Sequence, residues 1–107
     1  MKYIVVLITT PQTEEATKIA NKLVEDKIAA CVNIIPHIHS IFWWENKIDK
    51  SAESLLIIKT RKSLLKKLIT MVKKVHSYTV PEIIALPIIG GNEDYLRWLN
   101  ESVKKGK

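Results

Sequence analysis

AACVNIIPHIHSIFWWENKI, residues Ala29 to Ile48, decides how this chain folds. It sets Val32, Ile34, Ile35, Ile38, Ile41, Phe42, Trp43, Trp44 and Ile48 into one extended segment. That is more apolar and aromatic surface than two short helices cover, so something else must bury it. Proline donates no ladder hydrogen bond, so Pro36 marks an edge, a bend or a bulge, and the segment reads as one bent strand or two strand pieces. Glu45-Asn46-Lys47 supplies a polar break and Lys50-Ser51-Ala52 a second one. Ser54 to Lys59 (SLLIIK) then reads as a strand paired back on the aromatic segment as a hairpin.

Outward from the hairpin the periodicity changes. Tyr3 to Thr9 (YIVVLIT) is a continuous β-branched run, the pattern of a central strand buried on both faces. Thr13, Glu14 and Glu15 begin a helix, a hydroxyl for the cap and carboxylates for the positive end of the dipole. Its stripe is Ala16, Ile19, Ala20, Leu23 and Val24, and it ends near Asp26-Lys27. Ser63 opens a second helix with Leu64, Leu65, Leu68, Val72 and Val75 inward and Lys66, Lys67, Lys73 and Lys74 outward. Glu82 to Ile89 is a fourth strand whose Pro87 argues that at least one end lies at an edge or is irregular. After Gly90-Gly91, Asn92 caps a third helix reaching about Lys104, with Tyr95, Leu96, Trp98, Leu99 and Val103 on its inner face.

The order β-α-β-β-α-β-α is that of an α+β, ferredoxin-like split βαβ sandwich, one domain over residues 1–107, with a further C-terminal helix. The hairpin is too long for a compact sheet, and the sheet's second face has no cover within the chain. Exposed apolar sheet faces and long hydrophobic edges call for a second subunit, so self-association is expected.

Composition excludes several classes. The net charge is +6, yet the basic residues are mostly Lys spread over the helices, with Arg61 and Arg97 the only arginines. Nucleic-acid binding surfaces cluster Arg and Lys with aromatic residues between them, so no nucleic-acid partner is expected. No run approaches the roughly 20 apolar residues of a membrane span. The start MKYIVVLITTPQTEEA is too briefly apolar for a signal peptide and lacks a small-residue cleavage site. The single Cys31 rules out an internal disulfide framework and fits a reducing compartment, so a cytoplasmic location is expected.

Four ordered motifs carry a family resemblance: Ala29-Ala30-Cys31-Val32-Asn33, Phe42-Trp43-Trp44-Glu45-Asn46-Lys47-Ile48, Ile58-Lys59-Thr60-Arg61, and His76-Ser77-Tyr78-Thr79-Val80-Pro81-Glu82-Ile83. Together they closely resemble the CutA family of divalent-cation tolerance proteins, and Asn92, Tyr95, Leu96 and Trp98 extend the likeness into the last helix. The resemblance implies a homotrimer in which the long hairpins continue each other's sheets, with Trp43, Trp44 and Trp98 at or near the subunit contact. It also implies tolerance of copper or another divalent cation, with no obligatory cofactor. In the matching positions Cys31 and His76 are the candidate metal ligands and Glu82 the partner of His76. The chain departs from the metal-binding pattern of some members: Ile8 stands where a cysteine can occur, and Val75 where a second histidine can precede His76.

Each candidate has a plainer reading. A thiolate suits Cu(I) and an imidazole Cu(II) or Zn, but a cysteine in an apolar strand also behaves as a small hydrophobe. His76 at a helix end is favoured by the dipole without any ligand. His37 and His39, two apart, would share a strand face and could hold one metal ion, or sit on an exposed bend after Pro36. Lys59 and Arg61 offer charge for an anion, or form a solvated pair of low value.

The expected function is therefore a trimeric, non-enzymatic protein of divalent-cation tolerance that binds metal. The alternatives are a small-molecule-sensing trimer similar to PII-type signalling proteins, with residues 76–82 facing a cleft between subunits, and a structural scaffold. An enzyme is disfavoured: no Ser/His/Asp arrangement, paired carboxylates or HExxH is discernible. Thr9-Thr10-Pro11-Gln12 lacks the arginine that acylphosphatase activity on this fold requires.

Overall fold

The computed structural model describes residues 2–104. Its elements are β1 (Tyr3–Thr10), α1 (Thr13–Glu25), β2 (Cys31–Trp44), β3 (Lys47–Arg61), α2 (Leu65–Val75), β4 (Ile83–Pro87) and α3 (Glu93–Ser102), with a 3-10 turn, Lys62–Leu64, leading into α2. The strands form one antiparallel sheet in the order β2-β3-β1-β4, the expected split βαβ connectivity.

Alternation along β1 sorts the sheet into two faces. Ile4, Val6 and Ile8 stand opposite Thr60, Ile58 and Leu56 of β3, and all six are buried on the helix side. Ala16, Ile19, Ala20 and Leu23 of α1 and Leu68 and Val72 of α2 close over them in one core cluster. Each buried Val, Leu or Ile side chain in it contributes roughly 1.5–3 kcal/mol by leaving water. Val24 and Val75, expected on the inner stripes, are instead exposed at the stripe edges.

β1 is central, but its second face is not buried as expected: Tyr3, Val5 and Leu7 are only half-buried. Ile84 and Leu86 of β4, opposite Leu7 and Val5, remain 50% and 49% exposed. Part of this open face does find cover within the chain, from α3. That helix lies against β3, and its fully buried Leu99 stands outside the helix-side cluster. Tyr95 and Trp98 are exposed rather than inward, their rings 5.3 Å apart between centroids.

The aromatic segment is one strand, kinked where Pro36 falls. Ile35 pairs with Leu55 and Ile38 with Glu53, so three steps on β2 match two on β3 and one residue is extra. His37 takes up the bulge in the left-handed region at φ 62°. Strand alternation does not carry across a bulge, which removes the reason to place His37 and His39 on one face. The second polar break does not exist: Lys50, Ser51 and Ala52 pair with Ile41, Ser40 and His39 within an unbroken β3. Polar side chains without Gly or Pro leave the ladder intact where the strand projects into solvent. Residues 41–50 are all exposed, and the arm draws the molecule out to 44 × 25 × 22 Å.

Two of the helix starts differ in detail from expectation. Gln12, not Thr13, occupies the cap position of α1, and the Thr13 hydroxyl lies 2.9 Å from that of Ser54 instead. Ser63, expected to open the second helix, lies inside the 3-10 turn that precedes α2, which itself begins at Leu65 without a side-chain cap. Asn92 does cap α3, its Oδ1 accepting from the Asp94 amide at 2.9 Å.

Glu45 and Asn46 close the arm with φ of 52° and 65°. Two consecutive left-handed residues are the requirement of a type I′ hairpin turn, which Asn-Gly meets with less strain than Glu-Asn. Glu45→Asn combined with Asn46→Gly should therefore stabilise the chain by about 1 kcal/mol. Urea unfolding checks this as a raised midpoint with an unchanged slope; a lowered midpoint would contradict the turn assignment.

Candidate functional site

The segment from His76 to Glu82 leaves α2 and returns to the sheet at β4. His76 is the C-cap of α2, with extended backbone, and its imidazole is buried against the end of β1. Nε2 lies 2.7 Å from the Thr9 carbonyl oxygen, which can only accept, so the ring proton sits on Nε2. Nδ1 then accepts from the Tyr78 amide at 3.0 Å. Glu15 Oε2 stands 3.3 Å from the same nitrogen and accepts the Ser77 amide at 2.9 Å. Both imidazole nitrogens are thus engaged inside the fold, and a metal ion would gain the ring only by displacing the Tyr78 amide.

Tyr78 completes the local network. Its ring stands 4.9 Å from that of His76, and its hydroxyl donates to Glu53 Oε2 at 2.8 Å. Glu53, on β3 just past the bulge, is itself buried. Burial, and then the Glu53 carboxylate, push the Tyr78 phenol up to about 12. A phenol held protonated this firmly donates a hydrogen bond and does not serve as a base near neutral pH.

Between this network and the hairpin arm lies a cleft of about 700 Å³. Phe42 and Trp44 line one side, with Tyr78 and Val80 opposite, and three carboxylates, Asp49, Glu53 and Glu82, face it together with the single cation Lys50. Such a balance attracts cations. Of the expected metal residues, Glu82 lies here, exposed, and His76 lies behind the wall that Tyr78 forms.

Cys31 lies elsewhere. It pairs with Lys59, which pairs with Val5, four residues along β1 from the Thr9 that receives His76. Four strand residues span roughly 13 Å. The Cys31 thiol is 3.8 Å from Asn33 Oδ1, which also accepts from the Lys59 ammonium. Tyr95 of α3 stands next to it, its phenol raised by burial and then by the Cys31 thiol. Among the described residues, no three His, Cys, Asp or Glu side chains of one chain converge on a point where an ion could be held. The residues expected at a subunit contact are all partly open, Trp43 at 72%, Trp44 at 48% and Trp98 at 45% exposure.

Because the folded-state value of Tyr78 lies above its ordinary 10.0, the protonated phenol stabilises the fold fully below about pH 10, and that contribution is lost as the pH rises toward 12. Ultraviolet titration should show a late phenol that disappears in Tyr78→Phe. Glu53→Gln should bring it part of the way back, the remainder being due to burial. A full return to the ordinary value would assign the whole shift to the carboxylate.

Comparison with known proteins gives this arrangement its relatives. Residues 4–102 match the family of the CutA1 divalent ion tolerance protein. A rice protein, "Protein CutA 1, chloroplastic", is 53% identical over 102 residues, which make up 95% of this chain and 58% of the relative. The "Divalent-cation tolerance protein CutA" of Thermus thermophilus is 51% identical over 98 residues, 92% of this chain and 95% of that protein. The crystal structure of CutA1 from Oryza sativa superposes with a TM-score of 0.96 at 51% identity, covering 99% of this chain and 97% of that one. The chain therefore spans a little over half the length of the plant relative and nearly all of the bacterial one. With this fold, these motifs and these identities, the chain belongs to the CutA1 divalent ion tolerance family.

Proposed function

We propose that this chain works in divalent-cation tolerance as a non-catalytic homotrimer that takes up copper or a similar cation at clefts completed between subunits. The observation that carries the reading is the acidic cleft beside an apolar arm. Asp49, Glu53 and Glu82 supply negative charge, while Trp43, Trp44, Ile84 and Leu86 supply apolar surface that a lone chain leaves in water. Covering that surface with a second copy is favourable at roughly 25 cal/mol per Å² removed from solvent, before the costs of association.

The donors divide by accessibility. Glu82 can contact a cation directly, and Cys31 offers a soft sulfur on the open face, half-buried beside Tyr95. His76 acts by holding the loop that presents Tyr78 and Glu82, because both its nitrogens are engaged. One chain lacks a complete coordination shell, so ligands from a neighbouring subunit are part of the proposal. The lone cysteine supports a reducing compartment, the cytoplasm for a bacterial cell or an organelle stroma for a protein like the chloroplastic rice relative.

Two measurements test this. Light scattering on the purified protein should give three times the chain mass of 12.3 kDa. Trp44→Asp should shift the population toward smaller species, and a monomeric wild type would refute the assembly. Titration of Cu(II), Cu(I) and Zn(II) against a competing chelator should give saturable binding that Glu82→Gln or Cys31→Ser weakens roughly tenfold or more, as loss of a ligand does. Metal binding that survives both substitutions, or none tighter than millimolar, would overturn the site.

A further inference from the structure

At the opposite end of the sheet from the acidic cleft, the chain builds a concavity of the reverse sign. Lys2, Arg61, Lys62, Ser63 and Lys66 line a cavity of about 450 Å³ where β1 begins, β3 ends and the turn into α2 starts. Four of its five lining residues are cations and none is acidic. The amide of Lys62 donates to the carbonyl of Lys2 at 2.8 Å, and this backbone bond holds the two lysines at one rim.

Three observations indicate that the charge is there for a ligand. Among the described residues, none of the four cations has a carboxylate within ion-pair distance, although Lys22 and Arg97 elsewhere each have one. The turn Lys62–Leu64 and the first turn of α2 carry no acidic residue and no side-chain cap, so no side chain balances the positive end of the helix, although the Lys62 and Leu65 amides are taken by the Lys2 and Lys62 carbonyls. The Arg61 Nε is buried with no hydrogen-bond partner among the described residues, a costly state that leaves the guanidinium short of acceptors. Lys59, which shares a motif with Arg61 in the sequence, is not part of this basin, because it is tied to Asn33.

We infer that this basin binds a tetrahedral oxyanion of the phosphate class, a free phosphate or a phosphate monoester, through the side chains of Arg61, Lys62 and Lys66 with the Ser63 hydroxyl. Guanidinium, ammonium and hydroxyl donors suit the oxygens of such an anion, and several cations around one concavity repel one another until it is filled. The size and openness of the cavity leave room for the ester group of a small metabolite or for a lipid headgroup at a membrane surface. The site is independent of the cation-tolerance reading and involves none of its residues.

Inorganic phosphate, titrated into isotopically labelled whole protein at constant ionic strength with chloride as the balancing anion, is the direct probe. Saturable shifts of the Ser63 and Leu64 amides are expected, with a raised Tm. The double variant Lys62→Ala, Lys66→Ala should bind about tenfold or more weakly, as expected when charge-assisted hydrogen bonds are lost. Lys67→Ala with Lys74→Ala removes the same charge from the same helix outside the basin and should leave binding unchanged. Linear, unsaturated shifts, or equal loss in both double variants, would overturn the site. Co-sedimentation with phosphatidylcholine vesicles carrying phosphatidic acid, lost in the first double variant, would assign the anion to a lipid headgroup. Phosphate binding without co-sedimentation would assign it to a soluble anion.

Discussion

The pairing of β1 with β3 along its whole length, from Tyr3 opposite Arg61 to Thr10 opposite Ser54, is the contact on which the rest of the molecule depends. It fixes which side chains face the helices, since a slip of one residue would turn Ile4, Val6, Ile8, Leu56 and Ile58 out of the core together. The same register builds both ends of the sheet. At one end it brings the Thr9 carbonyl within reach of His76 and Glu53 within reach of Tyr78. At the other it sets Lys2 beside Lys62 and Arg61 beside Ser63. One strand pairing thus separates an acidic cleft from a basic basin by the length of a strand, although the chain as a whole carries a net charge of +6.

Helices on one side leave the other side of a sheet to be dealt with. In this chain α3 takes part of that side through Leu99, while Ile84, Leu86 and the arm tryptophans remain open. The apolar residues that looked excessive in the sequence are excessive for a single chain, which is the physical content of the expectation that it associates. Tyr95 and Trp98 sit at the margin between covered and open surface, which is why helical periodicity assigned them inward when a lone chain leaves them half in water.

What the sequence made legible were features with a local cause. Pro36 cannot complete a ladder, and the bulge falls there; Pro87 marks an edge or an irregular end, and β4 is an edge strand that stops at it; Asn92 is a strong N-cap, and it caps α3. Features with a non-local cause were not legible. Nothing near residue 78 announces that its hydroxyl meets a carboxylate 25 positions earlier, and nothing near His76 announces that the Thr9 carbonyl will accept its hydrogen bond. The second polar break failed for a related reason, because Lys50-Ser51-Ala52 is held straight by the opposite strand and not by its own propensities. A carboxylate at position 53, just before the apolar run at residues 55–58, was the one signal that could have pointed to the Tyr78 network.

The bulge at Pro36 and His37 also governs the outer margin of the sheet. β2 is a margin strand, so along residues 31–44 one row of backbone groups has no neighbour in its own chain. Such a row is a template on which any extended segment can lay itself down. Pro36 contributes no donor to that row, and the left-handed backbone of His37 turns it aside, so the template is cut into a short inner piece and a longer piece on the arm. A strand adding along the arm loses its register at the interruption and cannot continue across the body of the sheet. The margin therefore offers an added strand two separate stretches and no continuous track.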